Sequence, residues 1–408
     1  MNTTSLNPTL GEERIDSLDI LRGFAILGIL IMNIQSFSMP GPAYLNPMAF
    51  GDMTGANKWV WILSHIFGDQ KFMTIFSILY GAGVVMVTQN AEKKTGKSAS
   101  LHYRRTFWLL IIGLIHAHLI WYGDILVPYA LCAIFIYFFR NVRPTILLVV
   151  GVLLIAVHTL LYVGLGSSIA HWPQESINQT MQSWNPGQEK LDQEIAAYTG
   201  SFSDQLSVRV KSALFLETFV FLMMFLWRAG GLMLVGMALY KWGILTAERS
   251  RNFYIKGWMI SWVIGMPIVI YGVYKNFDAN WALEYAMFIG SQFNYWGSLG
   301  VSFGLICAIM ILSKSGSMTW FRERLAGVGR MALTNYLMQS VICTFIFYGI
   351  GISLFGQVDR VGQVGIVLLV WIIQLLWSKP WIRKYRFGPA EWMWRSLTYL
   401  KRQKMIRE

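Results

Sequence analysis

Apolar and polar positions alternate along this chain on a scale too long for strands or short buried helices. Ten apolar runs, separated by charged breaks, lie near residues 19–37, 71–89, 104–122, 125–139, 144–166, 214–240, 254–274, 292–313, 328–349 and 361–378. Most approach the roughly 20 residues an α-helix needs to cross the hydrocarbon core of a bilayer. The pattern predicts an all-α polytopic membrane bundle of about ten transmembrane helices. Residues 57–67 and 281–289, amphipathic and Trp-bearing, read as interfacial segments.

Composition agrees: 55% of the 408 residues are hydrophobic and 13% are charged. The net charge of +13 raises the question of nucleic acid, but its distribution answers it. Ten spans put both termini on one side, and the loops on that side hold Lys93, Lys94, Lys97, Arg104, Arg105, Arg140, Arg143, Lys241, Arg249, Arg251, Lys256, Lys314, Arg322, Arg324 and Arg330. The tail, 379–408, adds nine more basic residues, whereas the opposite loops offer seven. Positive charge is retained in the cytoplasm, so the expected topology is N-in and C-in, in the cell (inner) membrane, and no nucleic-acid partner is expected. Glu12, Glu13, Asp16 and Asp19 precede the first run, which argues against a cleavable signal peptide. Cys132, Cys307 and Cys343 all fall in apolar runs and read as buried small residues.

Within this frame residues 1–378 form the bundle, and 167–213 form a long extracytoplasmic loop that is either a passive cap or a lid. Polar groups inside the spans are where function is sought, because each costs several kcal/mol in hydrocarbon unless partnered. On the first span Arg22 and Asn33 share a face with Asp19 one turn before. On the second, Gln70, Thr74, Ser77 and Gly81 form a small, polar stripe, and Lys71 asks for an acidic partner, for which Asp69 is at hand. On the third, Arg105 and His116 are eleven residues apart and share a face, while His118 points away. His116 and His118 are therefore not a metal-chelating pair, and no metal is expected. His116 followed by Asp124 reads as a general base with its orienting carboxylate, or as a hydrogen-bonded core histidine. His158 lies at similar depth, so a histidine pair is an option. Arg228, at mid-span beside Gly230 and Gly231, needs an anion: Glu217 on the same face, or a substrate group. Asn335 and Gln339, at i and i+4, either clamp a neighbouring helix or line a polar cavity. The FGPAEWMWR stretch in the tail, with Trp392, Trp394 and Arg395, suits an interfacial helix on anionic lipid.

Six stretches, DILRGFAILGILIMNI, KFMTIFSILYGAG, IHAHLIWYGDIL, MLVGMALYKWGIL, GRMALTNYLMQS and FGPAEWMWR, resemble in this order the YeiB-like family of bacterial integral membrane proteins. The C-terminal part of that family, here about 230–378, is described as a domain of unknown function, with transport as its suggested role. The LDxxRG opening and the first part, 15–150, are distantly similar to transmembrane acyltransferases such as heparan-α-glucosaminide N-acetyltransferase. That similarity implies a cytoplasmic acyl-CoA donor (acetyl-CoA), an extracytoplasmic acceptor and a histidine within the bundle. The position loosely corresponding to the active histidine is His65, which competes with His116; where other relatives have histidines, this chain has Asn33.

The leading expectation is acyl transfer across the membrane. Arg22, Arg104, Arg105 and Arg330 bind the phosphates of CoA, His116 with Asp124, or His65, acts as the base, and Asn33 or Asn335 donates to the oxyanion. The alternative is a transporter of a small anionic or amphiphilic metabolite, with Lys71, Arg228, Asn335 and Gln339 facing the solute. A membrane protein without turnover is the third reading. Partners expected are membrane lipids, a glycan, lipid or other small-molecule acceptor, and, as an open option, a second copy in a homodimer.

Overall fold

The computed structural model describes residues 15–407, so Glu12 and Glu13, used above against a signal peptide, lie outside the described residues. In chain order the helices are α1 (Asp16–Ser38), α2 (Pro42–Leu45), α3 (Gly55–Phe67), α4 (Lys71–Thr95), α5 (Ala99–Leu119), α6 (Leu126–Ile136), α7 (Pro144–Ser168), α8 (Gln174–Trp184), α9 (Gln188–Thr199) and α10 (Phe202–Phe215). They continue with α11 (Leu226–Lys241), α12 (Arg251–Asp278), α13 (Leu283–Tyr285), α14 (Ser291–Lys314), α15 (Thr319–Arg330), α16 (Ala332–Phe347), α17 (Arg360–Lys384) and α18 (Pro389–Tyr399). Among the described residues seven helical segments are long and apolar enough to cross a membrane. The protein is a multi-pass helical membrane bundle. The other predicted spans fall on α5 and on two shorter apolar helices, Leu126–Phe139 and Ala332–Phe347.

α1 is the buried centre, packed against α4, α14, α15, α16 and α17. α7 and α12 are peripheral and expose Leu153, Leu160, Val263 and Ile264, the pattern of a surface solvated by lipid tails. Two crossings depend on glycine. A Cβ on Gly81 would lie 1.9 Å from Met233 O and one on Gly236 2.0 Å from Ile78 O, so α4 and α11 meet backbone to backbone. The stripe on α4 is thus a packing surface, with Ser77 Oγ also 2.8 Å from Tyr129 Oη.

The long loop is helical: α8 and α9 lie within it, and its end is α10, which runs through a π-helical stretch (Leu216–Phe225) into α11. One sequence expectation changes here. The tail leaves α17 and returns to the bundle as α18, where Trp394 Nε1 donates to Arg105 O at 3.0 Å and the Arg105 guanidinium lies 4.3 Å from the Trp394 ring. The FGPAEWMWR stretch therefore packs into the bundle, and its Trp394 and Arg395 face an internal cavity. Glu391, whose meaning is tertiary, is the cause: its carboxylate accepts from Leu333 N (2.6 Å), Thr334 N (3.1 Å) and Thr334 Oγ1 (2.5 Å), capping the first turn of α16. Burial pushes this carboxyl above its usual range, against those hydrogen bonds, which favour the charged form.

Candidate functional site

The cavity that α18 helps to wall has a volume of about 290 Å³. Its mouth holds Arg22, Arg105, Arg330 and Arg395 against two carboxylates, Asp19 and Glu391; its walls are mostly apolar, with Ile26, Ile29, Leu79, Val84 and Leu109, and include His102, Thr106 and Tyr80. Arg22 Nη1 pairs with Asp19 Oδ1 at 2.9 Å, so the aspartate orients an arginine at the rim. Arg330 also borders a second, more polar cleft of about 450 Å³, with Arg322, Lys379, Arg383 and Arg407. Arg104 is half-buried and lines neither space, because it follows Tyr103 on a different face of α5 from Arg105.

The inner end of the cavity is formed by Ile125, Tyr129 and Tyr336. Behind Tyr336 lies His116, 5.1 Å between ring centroids, buried to 1% exposure. His116 Nδ1 is 2.7 Å from Asp124 Oδ1, and Nε2 is 2.8 Å from Ser340 Oγ. The second oxygen of Asp124 accepts from Val127 N at 2.7 Å, which ties the carboxylate to the first turn of α6. A carboxylate only accepts, so in the neutral imidazole Nδ1 carries the proton and Nε2 accepts from the Ser340 hydroxyl. Arg105 and His116 were legible from the sequence by helical phase, and Asp124 by its closeness along the chain; Ser340 was not, because its approach is set by the packing of α16 on α5. Gly113 makes room for the return of the chain, since a Cβ there would lie 2.8 Å from Val127 N.

His65 and Lys71 belong to a different polar group, on α3 and α4. His65 Nδ1 is 3.2 Å from Asp69 Oδ2, and its ring stacks on Trp61 at 4.9 Å. Lys71 does not pair directly with Asp69 as expected. It is fully buried, its Nζ donating to Asn294 Oδ1 (2.5 Å) and His65 O (2.7 Å), and Asn294 Nδ2 in turn donates to Asp69 Oδ2 at 2.8 Å. Asn33 is half-buried on α1 and joins neither His116 nor the cavity lining.

Arg228 corrects another expectation. The π-helical stretch between Glu217 and Arg228 shifts the helical phase, and Glu217 instead faces His118, 3.1 Å from Nε2. The carbonyl of Met223, within the same π stretch, accepts from His158 Nδ1 at 2.9 Å, which keeps His158 stacked on Tyr295 and away from His116. Arg228 itself donates to Tyr295 O (2.9 Å), Thr74 Oγ1 (3.1 Å) and Ser298 Oγ (2.8 Å), joining α11, α4 and α14. Its replacement by methionine removes three charge-assisted hydrogen bonds, each worth about 1.5–3 kcal/mol. A fall of the melting temperature in detergent, read by size-exclusion chromatography after heating, is the expected result; an unchanged melt would remove the structural role.

Asn335 and Gln339 resolve as a helix clamp. Asn335 Nδ2 donates to Val328 O and Ser378 Oγ, both at 3.1 Å, and Oδ1 accepts from Trp377 Nε1 at 3.0 Å. Gln339 Nε2 donates to Ile26 O (2.9 Å) and Gln374 Oε1 (3.0 Å). Neither Asn335 nor Gln339 is among the residues lining the two cavities above; both fix α16 against α1 and α17, and so fix Ser340. Among the described residues no group of three or more His, Cys, Asp or Glu is arranged to hold a metal ion.

The family described as "Protein of unknown function (DUF418)" matches residues 239–401, a region that includes Ser340, Arg330 and Glu391. The chain is 31% identical to "Uncharacterized protein YeiB" of Escherichia coli (strain K12), over 95% of this chain and 96% of the relative. It is 32% identical to "Uncharacterized protein YxaH" of Bacillus subtilis (strain 168), over 99% of both. A 39.9 kDa protein of Bacillus acidopullulyticus is 26% identical over 97% of the chain. No solved structure matches. With such identity along nearly its whole length, the chain belongs to the YeiB-like family of membrane proteins.

Proposed function

We propose that the protein is an acyl-CoA-dependent acyltransferase of the cell (inner) membrane, with ten spans and both termini in the cytoplasm. The observation behind this reading is the cavity itself: four arginines at its mouth, mostly apolar walls, and an inner end one aromatic ring away from His116. Guanidinium groups match phosphate oxygens in geometry and charge, and the apolar walls suit a pantetheine arm and its acyl group. The adjoining basic cleft, which shares Arg330, is the natural place for the nucleotide end. The donor would supply an activated thioester carbonyl.

The rest is the work of this chain. Arg22, Arg105, Arg330 and Arg395 hold the phosphates at the cytoplasmic edge. Tyr336 separates the donor cavity from the buried imidazole. His116, kept in one tautomer by Asp124, accepts a proton at Nε2 and returns it to the leaving group. His116 is preferred to His65 because it adjoins the arginine-rimmed cavity, whereas His65 sits with Trp61 and Asp69 on α3 and the α3–α4 corner. The acceptor, a hydroxyl or amine on a glycan, lipid or small molecule, would come from the extracytoplasmic side under the α8–α9 cap.

Calorimetric titration of the purified full chain with acetyl-CoA tests the donor. Saturable binding is expected, weakened about 10- to 100-fold by Arg22→Gln and by Arg330→Gln, since a charge-assisted hydrogen bond is worth roughly 1.5–3 kcal/mol. No binding across several detergents and in lipid nanodiscs would sink the reading.

A further inference from the structure

We propose that Ser340 is a nucleophile that carries the acyl group as an ester between donor and acceptor. The inference rests on the acyl-transfer reading above and adds a covalent step to it.

The first argument is the company Ser340 keeps. Several serines and threonines in this bundle satisfy their hydroxyls on the preceding turn: Thr74 on Gln70 O (2.7 Å), Ser77 on Met73 O (2.9 Å), Thr88 on Val84 O (2.8 Å), Ser302 on Ser298 O (2.6 Å). That is the default for a small hydroxyl in a helix without water. Ser340 Oγ instead meets the imidazole of His116 on another helix, whose far nitrogen is held by a fixed carboxylate. Serine, histidine and aspartate at 2.8 Å and 2.7 Å are the arrangement that activates a hydroxyl on several unrelated folds.

The second argument is access. Tyr336 and Ser340 are one turn apart on the same face of α16, about 6 Å along the axis. Tyr336 lines the cavity, so Ser340 lies directly beyond its floor. The Tyr336 hydroxyl accepts from Ile125 N at 3.1 Å, next to Asp124, so Tyr336 is the side chain of that inner end that touches both the cavity and the neighbourhood of the reacting groups. Rotation of the Tyr336 ring is the motion that opens the way.

The third argument is topology. A donor confined to the arginine-rimmed end and an acceptor confined to the other never need to meet if a serine between them holds the acyl group. In the first half-reaction Ser340 Oγ attacks the thioester carbonyl carbon and its proton passes to His116 Nε2. The carbon–sulfur bond breaks, and the thiol leaves with that proton. In the second, the acceptor hydroxyl or amine gives its proton to His116 and attacks the ester; Ser340 leaves and regains the proton. No oxidant or further reactant enters.

The test uses the purified full chain and two reagents read by intact mass and peptide mapping. A small alkyl fluorophosphonate, which needs an activated serine but no CoA, should add once, at Ser340. Ser340→Ala should abolish the adduct, and His116→Gln should slow its formation at least about 100-fold. Acetyl-CoA should leave an acetyl group on Ser340 that Ser340→Cys retains as a hydroxylamine-labile thioester. Fluorophosphonate labelling without acetyl-CoA binding would keep the nucleophile and discard the donor. Acetyl-CoA binding with wild-type transfer by Ser340→Ala would keep the donor and discard the nucleophile. An adduct that persists in Ser340→Ala, or no adduct from either reagent, overturns the proposal.

Discussion

Replacing His116 by glutamine is expected to lower the proposed acyl transfer about 10²–10⁴-fold while the proposed acetyl-CoA affinity stays within about twofold of wild type. The imidazole does not touch the arginines at the mouth, so binding and proton transfer are separable: Arg22, Arg105, Arg330 and Arg395 line the cavity, and His116 lies behind Tyr336. Asp124→Asn should follow with a comparable loss. An asparagine in that place can present its amide to Nδ1, turn the imidazole to the opposite tautomer and leave Nε2 protonated, unable to accept from Ser340. A His65→Gln variant, by contrast, perturbs Asp69 and the ring stack on Trp61 and should reduce transfer by less than about tenfold. The measurement is steady-state thiol release from acetyl-CoA with each variant in nanodiscs. A His65→Gln loss that exceeds the His116→Gln loss would move the chemistry to the other histidine.

The contrast between these two histidines shows what the sequence could and could not reveal. Helical phase put Arg105 and His116 on one face of α5, and the structure has one at the cavity mouth and the other behind its floor. Asp124 was legible because only a short turn separates it from His116, so local geometry governs their approach. Ser340 was invisible, since a serine in an apolar run carries no signal until its neighbour on another helix is known. Phase reasoning failed at Glu217 and Arg228, where ten π-helical residues change the residues per turn, and apolar sequence does not announce a π stretch. It also left Glu391 without a role and Trp394 at a lipid surface: in isolation α18 is amphipathic and looks interfacial, but the Glu391 carboxylate finds the N–H groups of the first turn of α16. The amides of Asn335 and Gln339 were identified as interhelical groups, and packing alone decided between clamp and cavity.

Gly329→Ala is expected to be among the most damaging small substitutions in the bundle. A Cβ at Gly329 would lie 1.9 Å from Asp19 O and 2.9 Å from Asp19 C, and one at Gly23 would lie 1.9 Å from Leu325 O. All these obstacles are backbone, so no side chain can rotate out of the way; α1 and α15 must part. Overpacking costs about 1–3 kcal/mol where side chains can shift, and more is expected where two helix backbones are in contact. The consequence reaches the proposed site, because Arg22 follows Leu21 on α1 and Arg330 follows Gly329 on α15, and both rim the cavity. Separation of the two helices should therefore lower acetyl-CoA affinity as well as the melting temperature. Gly365 provides the control: nothing lies within 4 Å of a Cβ there, and it stands in mid-helix in α17. Gly365→Ala should be neutral or raise stability by about 0.5–1 kcal/mol, through the lower backbone entropy of alanine in the unfolded chain. Equal melting temperatures for Gly329→Ala and Gly365→Ala would mean that α1 and α15 do not meet at these glycines, and the arginine rim would lose its structural basis.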